Sequence, residues 1–136
     1  MELFFGDYKI SDNKDLISAD SVRELLSKSY WASQRSQETI EKSIRNSICI
    51  GVYDHDNLIG FARMVTDQAT MYWLCDVIIE EAYRGKGLGK KLMECITEME
   101  ELKGMFGILA TRDAHGLYEK YGFQKEPGRF MRRNAQ

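Results

Sequence analysis

The period of the apolar positions changes several times along the chain, and each change marks an element. Residues 3–10 alternate loosely and predict a first strand, followed by a polar turn over residues 11–14. Val22, Leu25, Leu26 and Tyr30 then recur at helical spacing, with Ser21 and Glu24 placed to form a capping box. A second, more polar helix is predicted over residues 36–45, which leaves Tyr30, Trp31 and Arg35 near the joint between the two. Residues 47–53 and 58–65 read as strands around the turn sequence HDN, and residues 67–69 make the next turn. Residues 70–80, rich in aromatic and branched side chains, read as a central strand. Leu88, Leu92, Ile96 and Met99 share one face of a helix that fades near Lys103 and Gly104. The apolar run 105–110 fits a buried strand, and Asp113 can cap a short helix over 114–121 that Gly122 stops. A hairpin through Phe123, Pro127 and Phe130 would close the sheet. This order of elements predicts an α/β (α+β) fold on a mixed, mostly antiparallel central sheet flanked by helices.

Composition narrows the picture mainly by exclusion. At 136 residues, with one proline and no linker or repeat, a single domain over 1–136 is expected. A formal net charge of -2 gives no general pull toward nucleic acid or an anionic membrane, so a basic site has to be local. No apolar run is long enough to span a bilayer, and the acidic start around Glu2 and Asp7 is unlike a signal peptide, so a cytoplasmic protein is expected. Cys49, Cys75 and Cys95 are odd in number and widely spaced, which reads as buried thiols rather than a disulfide framework or a metal site.

The stretch EEAYRGKGLGKKLMECI departs from ordinary globular usage. Its three glycines, flanked by Arg84, Lys86, Lys90 and Lys91, lead directly into a helix start. Such a loop offers unpaired backbone N–H groups and the positive end of the helix dipole, which together bind anions, phosphate above all. The glycine spacing fits neither GxGxxG nor GxxxxGK[ST]. The helix also carries lysines in its first turns and glutamates at 94, 98, 100 and 101, against the dipole by about 0.3–1 kcal/mol per charge, and a Lys90–Glu94 pair would have the weaker orientation. An external anion would complete that arrangement. Partly compensated surface charge is the alternative.

Arg84, Gly85, Lys86, Gly87, Leu88 and Gly89 match the (R/Q)xxGx(G/A) signature of the GCN5-related N-acetyltransferase (GNAT) superfamily, and LATRDAHGLYEKYGF, residues 109–123, resembles that family's later strand and the short helix ending in LYxxxGF. The two segments stand in the family's order, and the predicted elements fit the GNAT fold over nearly the whole chain. The resemblance implies acetyl-CoA as co-substrate. It places the pyrophosphate on the backbone amides of Gly87, Gly89 and Lys90, with Arg84 and Lys86 helping. It lays the pantetheine arm along the main chain of Val77, Ile78 and Ile79.

The chemistry then needs a route for protons. An amine with a pKa near 10.4 is roughly 99.9% protonated at pH 7, so deprotonation costs about 4–5 kcal/mol and calls for a base or a water path to one. The departing thiolate needs a donor, and Tyr118 occupies the family's tyrosine position. From a phenol near pKa 10, full transfer to a thiolate near 8.5 is uphill by about 2 kcal/mol, so hydrogen bonding to the thiolate describes the role as well. Asp76 is an acid in an otherwise buried strand and needs a partner or a purpose. It could orient the amine, act as a base through water, or cap a neighbouring strand. CDVII resembles a stretch where polyamine-type members carry two consecutive acids, but the first is Cys75 here, which counts against a polyamine substrate. His115, one turn before Tyr118, is either a second proton carrier or a solvent-bonded residue at a helix start. By the family's layout, Tyr30, Trp31, Arg35, Tyr72 and Trp73 are the candidates for the acceptor wall, although core packing explains Trp73 as well. Arg35 facing the cleft would argue for a carboxylate or phosphate on the acceptor. The expectation is an N-acetyltransferase moving acetyl to a primary amine of a small molecule by direct attack in a ternary complex. The alternatives are a non-catalytic acyl-CoA sensor and a transferase acting on a protein amine. The tail GRFMRRN would suit the edge pairing or hairpin exchange by which family members form homodimers.

Overall fold

The computed structural model describes residues 1–135 and is built on one six-stranded sheet in the order β1-β2-β3-β4-β5-β6. The first expected strand is instead a hairpin, β1 (Glu2–Phe5) and β2 (Tyr8–Ser11), because Gly6 at φ 61° turns the chain. Helix α1 (Ala19–Leu26) starts one turn earlier than the capping-box pattern implied. Ser18, not Ser21, is its N-cap, accepting from the Ser21 N–H, and the helix ends before Tyr30. Helix α2 (Gln37–Arg45) is capped by Ser36, which accepts from the Thr39 N–H. Strands β3 (Ile48–Asp54), β4 (Asn57–Thr66) and β5 (Met71–Ile79) follow as predicted, the first two joined at His55 and Asp56.

Helix α3 (Leu88–Glu98) carries the chain over the sheet so that β6 (Phe106–Leu109) lies parallel to β5, the one parallel pair among antiparallel neighbours. The helices divide the core. Val22, Leu25, Leu26, Ile40 and Ile44 of α1 and α2 pack with Cys49, Phe61 and Ile78 on one face. Leu88, Leu92, Met93 and Ile96 of α3 pack with Ile50, Val52, Ala62, Met64 and Leu74 on the other. Each fully buried Val, Leu, Ile, Phe or Met side chain among these contributes about 1.5–3 kcal/mol of transfer free energy, so the sheet is held from both sides.

The C-terminal third differs most from expectation. Strand β6 is an edge strand with Phe106 67% exposed, not a buried one, because no strand follows Leu109 among the described residues and the hairpin expected through Phe123 and Phe130 is not formed. Helix α4 (His115–Glu119) is not capped by Asp113. Its N-cap is Ala114, which supplies no side-chain cap, and the Ala114 N–H donates to Thr111 Oγ1 at 3.1 Å. Among the described residues no helix is long and apolar enough to cross a membrane.

Candidate active site

A bulge in β5 organises the site. Opposite the pairs Phe61↔Ile78 and Arg63↔Cys75 the register shifts, and Asp76 takes φ 53°, a left-handed conformation that Asp and Asn tolerate better than other residues with side chains. The extra residue changes which side chains share a face. Tyr72 and Leu74 pack beneath α3, and beyond the bulge Val77 and Ile79 do so instead, while Ile78 joins the core under α1 and α2. Pairing with β6 stops at Leu74↔Leu109, so the main chain of residues 75–79 faces no strand on that edge.

The chain leaves this open edge through a short turn at Glu81–Tyr83 and enters the glycine loop. Gly87 is the N-cap of α3 with φ 83°, and it supplies no capping side chain, in contrast to Ser18 and Ser36. The first helical bond runs from the Lys91 N–H to the Gly87 carbonyl at 3.0 Å, so the N–H groups of Leu88, Gly89 and Lys90 have no intrahelical acceptor. A Cβ at Gly85 or Gly89 would point into open space. A cleft of about 550 Å³ lies over them, bounded by the loop, by Val77, Ile78 and Ile79, and by Tyr30, Trp31 and Tyr118. Unpaired amides, a helix N-terminus and glycine-bare walls fit the pyrophosphate of a CoA ester, and the open edge of β5 fits its amide-bearing arm.

The cations around the loop divide their roles. Arg84 turns back, its Nε donating to the Ile79 carbonyl at 3.0 Å, so it braces the strand end. Lys86 and Lys90 are exposed. Lys91, not Lys90, approaches Glu94, at 3.4 Å, and also lies 5.9 Å from the centre of the Phe5 ring. Tyr121 Oη donates to the Lys90 carbonyl at 2.9 Å, which ties the segment after α4 to the first turn of α3.

Tyr118 lines the cleft, and among the described residues its hydroxyl makes no hydrogen bond to protein. Burial first, then the neighbouring Tyr30 and Asp113, pushes its pKa up, so it stays a proton-bearing donor across the neutral range. His115 lies outside this cleft and lines a second cavity beside β6.

Asp76 is 4% exposed, and both its oxygens are engaged. Oδ2 accepts from Arg35 Nη1 at 2.6 Å and Arg63 Nε at 2.9 Å, and Oδ1 accepts from Trp31 Nε1 at 3.0 Å. Arg63 also donates to Ser47 Oγ at 3.1 Å. Burial pushes the Asp76 carboxyl up, but hydrogen bonds and charge from Arg35 and Arg63 outweigh it and leave the pKa lowered. A carboxylate so held, with three donors on its two oxygens and no place in the cleft lining, is a weak base. It joins the loop between α1 and α2 to the bulge. Cys75 beside it is pushed up to about 11, mainly by burial, which leaves it a thiol.

The structure thus brings Trp31 and Arg35 together with Asp76, and Trp31 with Tyr118 at one cleft. Tyr72 is not with them. It is buried in the cluster beneath α3, where its ring lies against Gly107. Sequence reasoning missed Arg63 and Arg112, whose guanidinium carbon stacks 3.8 Å from the centre of the Tyr30 ring. An arginine opposite an acid on a neighbouring strand was a weak signal for Arg63, and nothing local distinguished Arg112.

Residues 45–125 match the family described as acetyltransferase (GNAT) domain. A ycf52-like uncharacterized N-acetyltransferase from Prochlorococcus marinus is 33% identical over 113 residues, covering 78% of this chain and 62% of its own length. The spermine/spermidine N(1)-acetyltransferase of Bacillus subtilis is 30% identical over 88 residues, covering 55% of this chain and 58% of its own. The crystal structure of a protein from Xanthomonas campestris pv. campestris described as belonging to the GNAT family superposes with a TM-score of 0.90 at 31% identity, over 97% of this chain and 96% of that one. The chain spans between half and two thirds of the length of the first curated relatives it matches, 62%, 64% and 50%.

Proposed function

Because this chain belongs to the GNAT acetyltransferase family, we propose that it moves the acetyl group of acetyl-CoA to a primary amine of a small molecule, by direct attack while donor and acceptor are bound together. The observation that carries this reading is the convergence, in one cleft, of the uncapped α3 N-terminus, the open main-chain edge of β5 and the Tyr118 hydroxyl. Acetyl-CoA would supply an activated acyl carbon and a thiolate leaving group.

The chain's own residues do the rest. The N–H groups of Leu88, Gly89 and Lys90 hold the pyrophosphate with Lys86 nearby, and the main chain of Val77, Ile78 and Ile79 aligns the pantetheine arm. Orienting two reactants in one site removes much of the entropic barrier to their meeting. Tyr118 offers its proton-bearing hydroxyl to the sulfur as negative charge develops there. With both Asp76 oxygens engaged, the amine loses its proton through water in the cleft, and Asp76 serves as a positioning residue that holds Trp31 and Arg35 at the rim. A CoA sensor would keep the glycine loop without turnover, and a protein amine would need a surface around the rim to grip its chain. CoA release that depends on an added small amine favours the proposed reading over both.

The test is calorimetric titration with acetyl-CoA and CoA of the native protein and of Gly89→Glu, a position whose Cβ would meet open space. The variant puts a carboxylate where the pyrophosphate would lie. Saturable binding by the native protein and its loss in a folded variant are expected. Absence of binding up to about 1 mM, where a site worth about 4 kcal/mol is half filled, would sink the transferase reading.

A further inference from the structure

The rim of the cleft holds more positive charge than its carboxylates balance. Side chains in contact run around it in series. Arg35 and Trp31 donate to Asp76, Tyr30 packs edge-on against Trp31 with ring centroids 4.9 Å apart, and Arg112 stacks on Tyr30 at 3.8 Å. With Arg63, three guanidiniums stand behind this rim against two carboxylates, buried Asp76 and the Asp113 that lines the cleft, while of the cations lining the cleft itself Lys28 pairs with Glu80 at 3.6 Å and Arg84 is turned to the Ile79 carbonyl. Asp76 is shared between Arg35 and Arg63, and Arg112 makes no ion pair among the described residues.

Resting on the transferase reading, we propose that the acceptor is an amine that also carries an anionic group, a carboxylate or a phosphate, and that Arg112 binds this group at the mouth of the cleft. The Tyr30 ring holds one flat face of the guanidinium, which leaves the in-plane N–H edge free for the forked contact that carboxylates and phosphates accept. Arg35, with only Nη1 engaged and its side chain 27% exposed, adds positive potential at the Asp76 carboxylate that it shares with Trp31. Tyr118, less exposed than Tyr30, lies in the same cleft, so an acceptor anchored by its anion at Arg112 directs its amine inward. A polyamine meets the opposite environment, because the only buried carboxylate at the rim is already neutralised. The inference therefore separates this chain from its Bacillus relative, which is named for spermine and spermidine.

The experiment uses protein saturated with CoA and two matched pairs of probes, N-acetylphenylalanine against N-acetylphenethylamine and O-phosphoethanolamine against ethanolamine, with spermidine as the polycation. Binding is read by calorimetry and by tryptophan fluorescence, in the native protein and in Arg112→Gln. In at least one pair the anionic member is expected to bind about tenfold more tightly, and the advantage should fall below about threefold in Arg112→Gln while CoA binding is retained. Equal binding within both pairs, no binding of either anionic probe up to about 10 mM, tightest binding of spermidine, or an advantage that survives Arg112→Gln each overturns the proposal. CoA binding without discrimination overturns the acceptor class alone. Failure to bind CoA overturns the transferase reading and this inference with it.

Discussion

Replacing Asp76 by Asn removes its charge while keeping its shape, and so separates anchoring from proton transfer. The amide has one oxygen where the carboxylate has two, so it cannot accept from Arg35, Arg63 and Trp31 together. With its oxygen toward the guanidiniums, two bonds between opposite charges become bonds from a cation to a neutral acceptor, a loss of about 1–1.5 kcal/mol each, and the indole N–H, facing an NH2 group, loses a bond of about 1 kcal/mol. The sum is about 3–4 kcal/mol, near the range for breaking a buried pair. Solvent reaches Arg35, whose side chain is 27% exposed, and this trims the expectation to about 2–4 kcal/mol. The backbone adds nothing, since Asn tolerates φ 53°. For a chain of this length that is a fall in Tm of about 8–15 °C, measurable by thermal and urea denaturation followed by circular dichroism. Well below that Tm, kcat should fall no more than about tenfold. A variant with unchanged Tm and kcat lowered about 1,000-fold, as removal of a general base can do, would refute the anchoring role.

The same substitution has a definite pH signature. Burial raises the Asp76 pKa, the two arginines lower it by more, and the net is a lowered value. A depressed acid stabilises the fold above its unfolded pKa of about 3.9, and that contribution disappears as pH falls through the lower folded value. The stability gap between native protein and Asp76→Asn should be full at pH 7 and narrow progressively as pH falls below about 4. A gap of constant size from pH 7 down to about pH 2, with no narrowing below about pH 4, would mean that the carboxylate charge is not what holds the loop.

Tyr118→Phe should lower kcat about 100-fold with the KM for acetyl-CoA nearly unchanged, followed by thiol release in steady state. The raised Tyr118 pKa places no ionisation limb from this residue below about pH 10, and an unchanged kcat in the variant would remove it as donor. Gly107→Ala places a Cβ against the Tyr72 ring and should cost about 1–3 kcal/mol by overpacking. An unchanged denaturation midpoint would mean that Tyr72 yields freely and does not depend on that contact.

What could be read from the chain was local, and what could not was decided by partners far away in sequence. The glycines at 85, 87 and 89 and the helix they start lie within a few residues of one another, so the loop and the helix start were both legible. Ser18 and Ser21 stand one turn apart, and local pattern does not choose between two serines that each suit a cap, whereas the packing of Val22, Leu25 and Leu26 does. The closing hairpin was expected from tail composition, yet β6 remains an edge, because strand pairing depends on neighbours rather than on propensity alone. Asp76 is the sharpest case. Its partners lie 45, 41 and 13 residues away, and its left-handed backbone hides inside a run of alternating strand residues. An acid in an apolar strand has two physical solutions, a raised pKa fit for a base or a set of donors fit for an anchor, and the strand itself is identical in both. Here Arg35, Arg63 and Trp31 converge on it from another strand and from the loop between α1 and α2, and that convergence selects the anchor. The bulge that presents Asp76 to them also re-phases Val77 and Ile79 onto the α3 side just where β5 parts from β6. One residue of irregular backbone therefore serves both sides of the site, holding the rim on one and opening the strand edge on the other.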